Sequence, residues 1–217
     1  ASQDDTYKAL TDLGVVVKLN TQVVDYKDDS VYLSTGETIQ TKNLIWAAGV
    51  SAMTFEGIPA ECYGRGKRMI TDAYNKVNGT KNIYAIGDTA LQLTDEAFPD
   101  GHPQVAQVAI QQGINLASNF KATLKNKQQV PFKYNDKGSM AIIGKNKAVV
   151  DLPKPKMHFK GFIAWAIWLF IHLVSLITYR NRIQTFFNWM ISYFAKDNSL
   201  RMIIRPDKAR RAETKTV

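Results

Sequence analysis

Two glutamines, Gln107 and Gln111, stand four residues apart in the run His102-Pro103-Gln104-Val105-Ala106-Gln107-Val108-Ala109-Ile110-Gln111-Gln112-Gly113. At that spacing they share one face of a helix. Pro103 suits a first helical position, which puts the glutamines near the helix start. A helix N-terminus presents free backbone N–H groups and a positive partial charge. It can hold an anion, or stabilise a group that turns negative on reduction. Taken alone, the pair is more simply the solvated polar face of an ordinary helix.

Two apolar runs upstream end in small or acidic residues. Leu44-Ile45-Trp46-Ala47-Ala48-Gly49 reads as a buried central strand, and so does Asn82-Ile83-Tyr84-Ala85-Ile86-Gly87-Asp88. In open α/β sheets, ligands sit at the carboxyl ends of strands. Ala48, Gly49 and Gly87 would let a sugar or pyrophosphate approach the backbone. Asp88 could accept hydrogen bonds from sugar hydroxyls. Each run alone is equally a tight exit from strand to loop.

Elements must position these groups. Residues 6–13 read as the end of a helix capped by Gly14, and residues 15–17 as the start of a strand. Residues 22–40 read as short strands, with turns at Asp28-Asp29-Ser30 and Ser34-Thr35-Gly36-Glu37. Residues 57–68 are loop-like. A second unit starts near Ile70, its helix runs from Pro103 to about Leu124, and residues 131–150 read as short strands around Gly138 and Gly144. From Asp151 the chain becomes aromatic, apolar and basic.

Charge divides the chain at the same place. Residues 1–150 carry 16 Lys/Arg against 15 Asp/Glu, while residues 151–217 carry 12 against 4. A basic, aromatic tail on a neutral body points to an anionic surface. The aromatics lie in apolar helical segments and do not alternate with basic residues on a sheet, so nucleic acid is not an expected partner. Cys62 is the only cysteine. It fits a reducing compartment. No CxxC pair is present and no metal site is expected.

The order of the two strand ends resembles the flavoprotein family with two dinucleotide-binding domains, which includes disulfide reductases and NADH dehydrogenases. In that family a strand ending near Ala-x-Gly closes the NADH domain, and a later strand ending in Gly-Asp returns to the FAD domain. The run Ala106-Gln107-Val108-Ala109-Ile110-Gln111 narrows this further. It resembles the Ala-Gln-x-Ala-x-Gln motif of type II NADH dehydrogenases, as do Trp46-Ala47-Ala48-Gly49-Val50 and Ala85-Ile86-Gly87-Asp88. The resemblance covers all but about the last ten residues. It implies FAD and NADH as cofactors and a membrane quinone as electron acceptor. Asp88 would bind the ribityl chain of FAD, and Gly87, Ala106, Gln107 and Val108 would line the flavin. Ala48 and Gly49 would border NADH. Gln107 and Gln111 would face quinone and flavin and serve as the catalytic pair. It also implies a homodimer on the cytoplasmic face of the cell membrane.

The tail holds a third signal. Residues 161–178 are almost wholly apolar apart from His172. As a helix they would measure roughly 27 Å, barely enough to span a bilayer. Lys154, Lys156 and Lys160 precede the run and Arg180 and Arg182 follow it. Charge at both ends favours a helix lying in the membrane plane over a spanning one. Ile183, Phe186, Phe187, Met190, Ile191 and Phe194 then form a helical stripe opposite Gln184, Asn188, Ser192 and Lys196. In-plane anchoring, spanning and a soluble dimer interface remain the three readings. The pattern out to Arg205 resembles the monotopic anchor of type II dehydrogenases. His172 is expected to be a packed residue with a satisfied hydrogen bond.

Neither glycine-rich phosphate-binding turn of the family is present. Gly64-Arg65-Gly66 lacks a third glycine and no strand precedes it. The expectation is therefore a piece of a longer enzyme. The fold would be α/β, a partial FAD/NAD(P)-binding Rossmann-like fold followed by a C-terminal amphipathic helical anchor. Residues 1–69 would belong to the NADH-binding domain, 70–150 to the FAD-binding domain and 151–217 to the anchor. No array of polar residues along spanning helices suggests proton pumping. The rivals are a sulfide:quinone oxidoreductase, which needs a redox cysteine pair, and a non-catalytic membrane adaptor.

Overall fold

The structure, a computed structural model, describes residues 1–195 of the 217. Lys196 and the stretch to Arg205, read above as part of the anchor, lie outside the described residues. So does half of the tail's basic excess. The described chain divides into two compact units, one of residues 7–139 and 151–158, the other of residues 1–6, 140–150 and 159–195.

Helix α1, Ser2–Asp12, opens the chain. Gly14 closes it at φ +82°, with its N–H on the Thr11 carbonyl at 2.9 Å. Residues 15–17 form no strand, and Val16 is 82% exposed. A meander follows, with β1 at Val23–Lys27, β2 at Ser30–Leu33 and β3 at Thr38–Gln40. Both pairings are antiparallel. Asp28 and Asp29 make the first turn with φ +50° and +56°. Two left-handed residues are what a two-residue hairpin of matching twist requires, and Asp tolerates that region. Val31 and Leu33 point inward while Tyr32 points out, the two-residue period of a strand with one covered face.

The expected central strand at residues 44–49 is not formed. Ile45 is 90% exposed and Trp46 63%. An apolar run becomes a strand only where another strand offers a ladder, and none borders this one among the described residues.

The first unit continues through 3₁₀ turns at Ala60–Cys62 and Arg65–Lys67 into β4, Met69–Thr71, which pairs in parallel with β5, Ala90–Gln92. The second expected strand, residues 82–88, is reduced to one bridge between Tyr84 and Lys76. It is tied instead to the turn at Asn75. The Ala85 N–H donates to the Asn75 carbonyl at 2.9 Å, and Asn75 Nδ2 donates to the Ala85 carbonyl at 3.3 Å. Cys62, Met69, Val77, Ala85 and Ala90 form one core cluster here, and Val108, Phe132 and Tyr134 form another.

Helix α2 is Ala106–Leu124. It starts three residues after Pro103 because His102 is held by other groups, described below. Residues 131–138 form no strand, whereas β6, Ser139–Gly144, and β7, Lys147–Pro153, do. These two and β8, Lys156–Lys160, form a sheet in the order β6-β7-β8. The second unit ends in α3, Gly161–Ser175, and α4, Tyr179–Phe194. Thr178 caps α4, its Oγ1 accepting the Asn181 N–H at 3.3 Å. No helix of the described residues is long and apolar enough to cross a membrane. At 15 residues α3 measures roughly 22 Å.

Candidate functional site

Gly87 and Asp88 start a 3₁₀ turn, Gly87–Thr89, that packs against the first turns of α2. Gly87 has φ +64°, and a Cβ there would lie 3.0 Å from Ala109 Cβ. Glycine is thus required twice, for its backbone angle and for the close approach. Its N–H donates to Gln112 Oε1 at 2.6 Å, and Gln104 Nε2 donates to the Asp88 carbonyl at 3.3 Å. The Asp88 side chain is exposed. The N-cap of α2 is Val105, which has no side chain able to cap the free N–H groups. An acceptor carboxylate and an uncapped, positively polarised helix end therefore lie side by side. That donor set fits a polyhydroxy chain leading to a ring that gains negative charge, as FAD offers.

Gln107 and Gln111 share a face as expected, and both amides are engaged. Gln107 Nε2 donates to the Gly138 carbonyl at 2.9 Å, while its Oε1 accepts the Lys137 N–H at 3.2 Å. Gln111 holds both main-chain groups of Asn135, each at 3.0 Å. The stripe continues at the same spacing. Asn115 Nδ2 donates to the Val130 carbonyl at 3.2 Å, and buried Asn119 holds the Val130 carbonyl and N–H at 2.9 and 2.8 Å.

The segment opposite, residues 130–138, has no strand partner, so these side chains supply its hydrogen bonds. Other groups complete the set. The Phe132 N–H donates to the Ala73 carbonyl at 2.7 Å, and the Phe132 carbonyl accepts from Gln92 Nε2 at 3.2 Å. Each glutamine keeps one N–H and one lone pair beyond these bonds.

A buried hydrogen-bonded pair lies in the same unit, and the sequence reading did not single it out. His102 Nε2 is 2.9 Å from Asp95 Oδ2, with side chains 1% and 7% exposed. The Tyr134 and Ala97 N–H groups also donate to Asp95, at 3.2 and 3.1 Å. Burial raises the Asp95 pKa, but the hydrogen bonds from His102, Tyr134 and Ala97 outweigh it and hold the carboxyl below its usual range. The rings of Phe98, Phe132 and Tyr134 surround His102. Burial, together with the charge of Asp136, pushes Tyr134 up to about 12. Arg68 is 6% exposed and donates to the carbonyls of Ala90 at 2.8 Å and His102 at 3.1 Å. Burial and the charge of Arg65 lower its pKa, and Asp88 partly offsets them. The pair His102–Asp95 is seven apart, but Pro99 and Gly101 between them rule out a helix, and Arg68–His102 is 34 apart, too far for any local pattern to link them.

Ala48 and Gly49 stand in an exposed bend, with Gly49 at φ +100° and open space where a Cβ would be. The structure does not bring them into contact with Asp88 or the glutamines. In the second unit, Phe162, Phe170, Ile183, Phe186, Phe187 and Phe194 of α3 and α4 are each at least half exposed. His172 Nδ1 lies 2.8 Å from the Trp168 carbonyl, the satisfied hydrogen bond expected of it.

The sequence profile of the pyridine nucleotide-disulphide oxidoreductases matches residues 3–113, and that of the NDH2 C-terminal domain matches residues 137–196. The type II NADH:quinone oxidoreductase NdhA of Mycobacterium tuberculosis is 35% identical over 202 residues, which is 87% of this chain and 41% of that protein. The internal alternative NAD(P)H-ubiquinone oxidoreductase A1 of Arabidopsis thaliana mitochondria is 30% identical, covering 82% of this chain and 38% of that protein. Among solved structures, NDH2 from Plasmodium falciparum in complex with NADH superposes with a TM-score of 0.78 at 19% identity, over 92% of this chain and 56% of that one. That likeness shows a shared fold. The chain spans about two fifths of the length of the curated relatives it matches.

Proposed function

This chain belongs to the pyridine nucleotide-disulphide oxidoreductase family, and from that premise we propose that it forms part of a type II NADH:quinone oxidoreductase. The enzyme would take hydride from NADH and deliver the electrons to a membrane quinone. The observation that carries the reading is the Gly87–Asp88 turn packed on the uncapped start of α2 beside two amides four residues apart.

FAD, when bound, would accept the hydride and pass the electrons on. The residues of this chain hold and orient. Asp88 accepts hydrogen bonds from the ribityl hydroxyls. Gly87, Ala106, Gln107 and Val108 line the flavin, and the N–H groups of the first turn of α2 favour its reduced charge. Ala48 and Gly49 border NADH. Gln107 and Gln111 offer their remaining N–H groups to a quinone oxygen. Residues 1–69 and 70–150 contribute to the NADH and FAD domains. Residues 151–217 dock the enzyme, as a homodimer, in the plane of the cytoplasmic face of the membrane. The exposed apolar faces of α3 and α4 support the in-plane reading.

Gln111→Leu in the full-length enzyme tests the site. Stopped-flow spectroscopy should show NADH reducing the flavin at the normal rate and quinone reoxidising it about tenfold more slowly, the worth of one hydrogen bond. The opposite pattern would overturn the role given to Gln111.

A further inference from the structure

Helices α3 and α4, with Ile142 of β6 and Lys145 just after it, line an open cavity of about 800 Å³. Pockets that bury an organic ligand run from about 300 to 1,000 Å³. Its wall is aromatic, with Trp165, Trp168, Trp189, Phe162, Phe186 and Tyr193. Ring contacts brace it. Trp168 and Trp189 have centroids 6.2 Å apart, Trp165 and Tyr193 5.4 Å, and Trp168 stacks on His172 at 3.6 Å.

Among the described residues, one charge stands at this wall. Lys145 is exposed, with Nζ 2.8 Å from the Tyr193 carbonyl oxygen and 4.1 Å from the centroid of the Tyr193 ring. An ammonium carries three donors, so two remain for an incoming acceptor. Among the described residues, no carboxylate lines the cavity. Water would find few partners inside it.

An open apolar cavity with a cation at its edge is complementary to a molecule with an apolar body and an anionic end. We infer that this cavity takes the acyl chain of a single anionic lipid, with its phosphate on Lys145. A quinone is neutral and gives the ammonium nothing to neutralise. A choline headgroup would set a second cation beside it. The inference rests on the reading of α3 and α4 as a membrane-facing pair. It adds a discrete lipid, one per chain, to a surface that otherwise attracts lipid only collectively.

Three of the four tryptophans line the cavity, so intrinsic fluorescence reports its occupancy. The full chain is titrated with lysophosphatidylglycerols of increasing chain length, below their micelle concentrations. The signal should saturate at one lipid per chain. Each added methylene should tighten binding roughly fourfold until the cavity is full. Lysophosphatidylcholine should bind at least about tenfold more weakly, and Lys145→Gln should erase that preference. Ser192→Phe, which adds a ring to the wall, should weaken binding with an unchanged melting temperature. Ile142→Phe replaces it if the first variant melts early.

A signal that never saturates, indifference to chain length, or equal binding of both headgroups would overturn the inference. So would displacement of the lysolipid by a short-tailed quinone at lower concentration. Co-sedimentation with vesicles is run alongside. Vesicle binding without one-to-one lysolipid binding would sink this inference alone, and the reverse would sink the membrane reading alone.

Discussion

Gln111 and Asn135 are joined by a closed pair of hydrogen bonds, amide to main chain in both directions, each 3.0 Å long. Asn119 and Val130 repeat the arrangement at 2.9 and 2.8 Å. A β-strand would find these partners on a neighbouring backbone. Residues 130–138 find them on one face of α2, through Gln107, Gln111, Asn115 and Asn119. The polar face that suggested a ligand site is also a structural ladder.

Asn119→Ala should therefore destabilise the chain by about 1–3 kcal/mol, since it strips the Val130 N–H of its partner and leaves the Val130 carbonyl only Asn115 Nδ2. Asn119→Asp, which keeps the acceptor and loses the donor, should fall between. Urea denaturation measures the loss, and amide exchange at Val130 locates it. An unchanged midpoint in the alanine variant would mean that the ladder is incidental.

Acid should weaken the fold through Asp95. Its folded pKa lies below the unfolded value of about 3.9. A lowered carboxylate contributes stability that is full above the unfolded pKa and is lost as pH falls through the folded one. The urea midpoint should drop as pH falls below about 5 and keep dropping past the unfolded value. Asp95→Asn should cost about 1–3 kcal/mol at neutral pH and flatten that acid dependence. Parallel curves for the two proteins would assign the acid sensitivity to other carboxylates.

Flavin retention should depend on Asp88 in the full-length enzyme. Asp88→Ala removes the exposed acceptor beside the α2 N-terminus and should lower bound flavin about tenfold at limiting FAD, while Asp88→Asn, which can still accept, should retain more. Absorbance of the purified proteins decides this. Equal flavin content in all three would move the ribityl contact elsewhere.

Membrane attachment should fail when charge is placed on the exposed apolar faces. Phe170 is 67% exposed and Phe194 77%, so Phe170→Asp with Phe194→Asp should spare the fold. Each phenylalanine left in water forfeits roughly 1.5–3 kcal/mol of burial in lipid. Co-sedimentation with anionic vesicles should fall sharply. In the unaltered enzyme, high salt should weaken pelleting without abolishing it, because the apolar contribution is unscreened. Unchanged pelleting of the double variant would leave these faces to be explained as a protein interface.

Local chemistry was the legible part of the sequence. Asp28-Asp29 specified its own turn, Gly14 its own helix end, and the aromatic stripe of α4 its own period. Residues 44–49 misled because their apolarity states a need for neighbours without supplying them. Pro103 misled because the His102 carbonyl, which would accept the first N–H of a helix starting there, accepts from Arg68 instead. The spacing of Gln107 and Gln111 did place them together. What the pattern could not convey was the partner, since residues 130–138 look like any strand until one asks which groups face them. Gln112, one residue out of the stripe, is the glutamine that touches Gly87.

The amide stripe also makes α2 a ruler. Four helical residues advance about 6 Å, and each extended residue about 3.3 Å. The tie points at Gln107, Gln111 and Asn119 therefore meet the segment only at certain intervals, running in the opposite direction along it from Gly138 to Val130. The amides grip main chain, so the exposed positions of residues 130–138 can change side chains and still be held, whereas Phe132 and Tyr134 are fixed by the core and Gly138 by its backbone angle. Their spacing cannot change. One residue inserted in α2 between Gln111 and Asn115 would turn every later amide by about 100° and release Val130 while leaving Asn135 clamped. The helix thus tolerates substitution in its partner and forbids a shift in its own count.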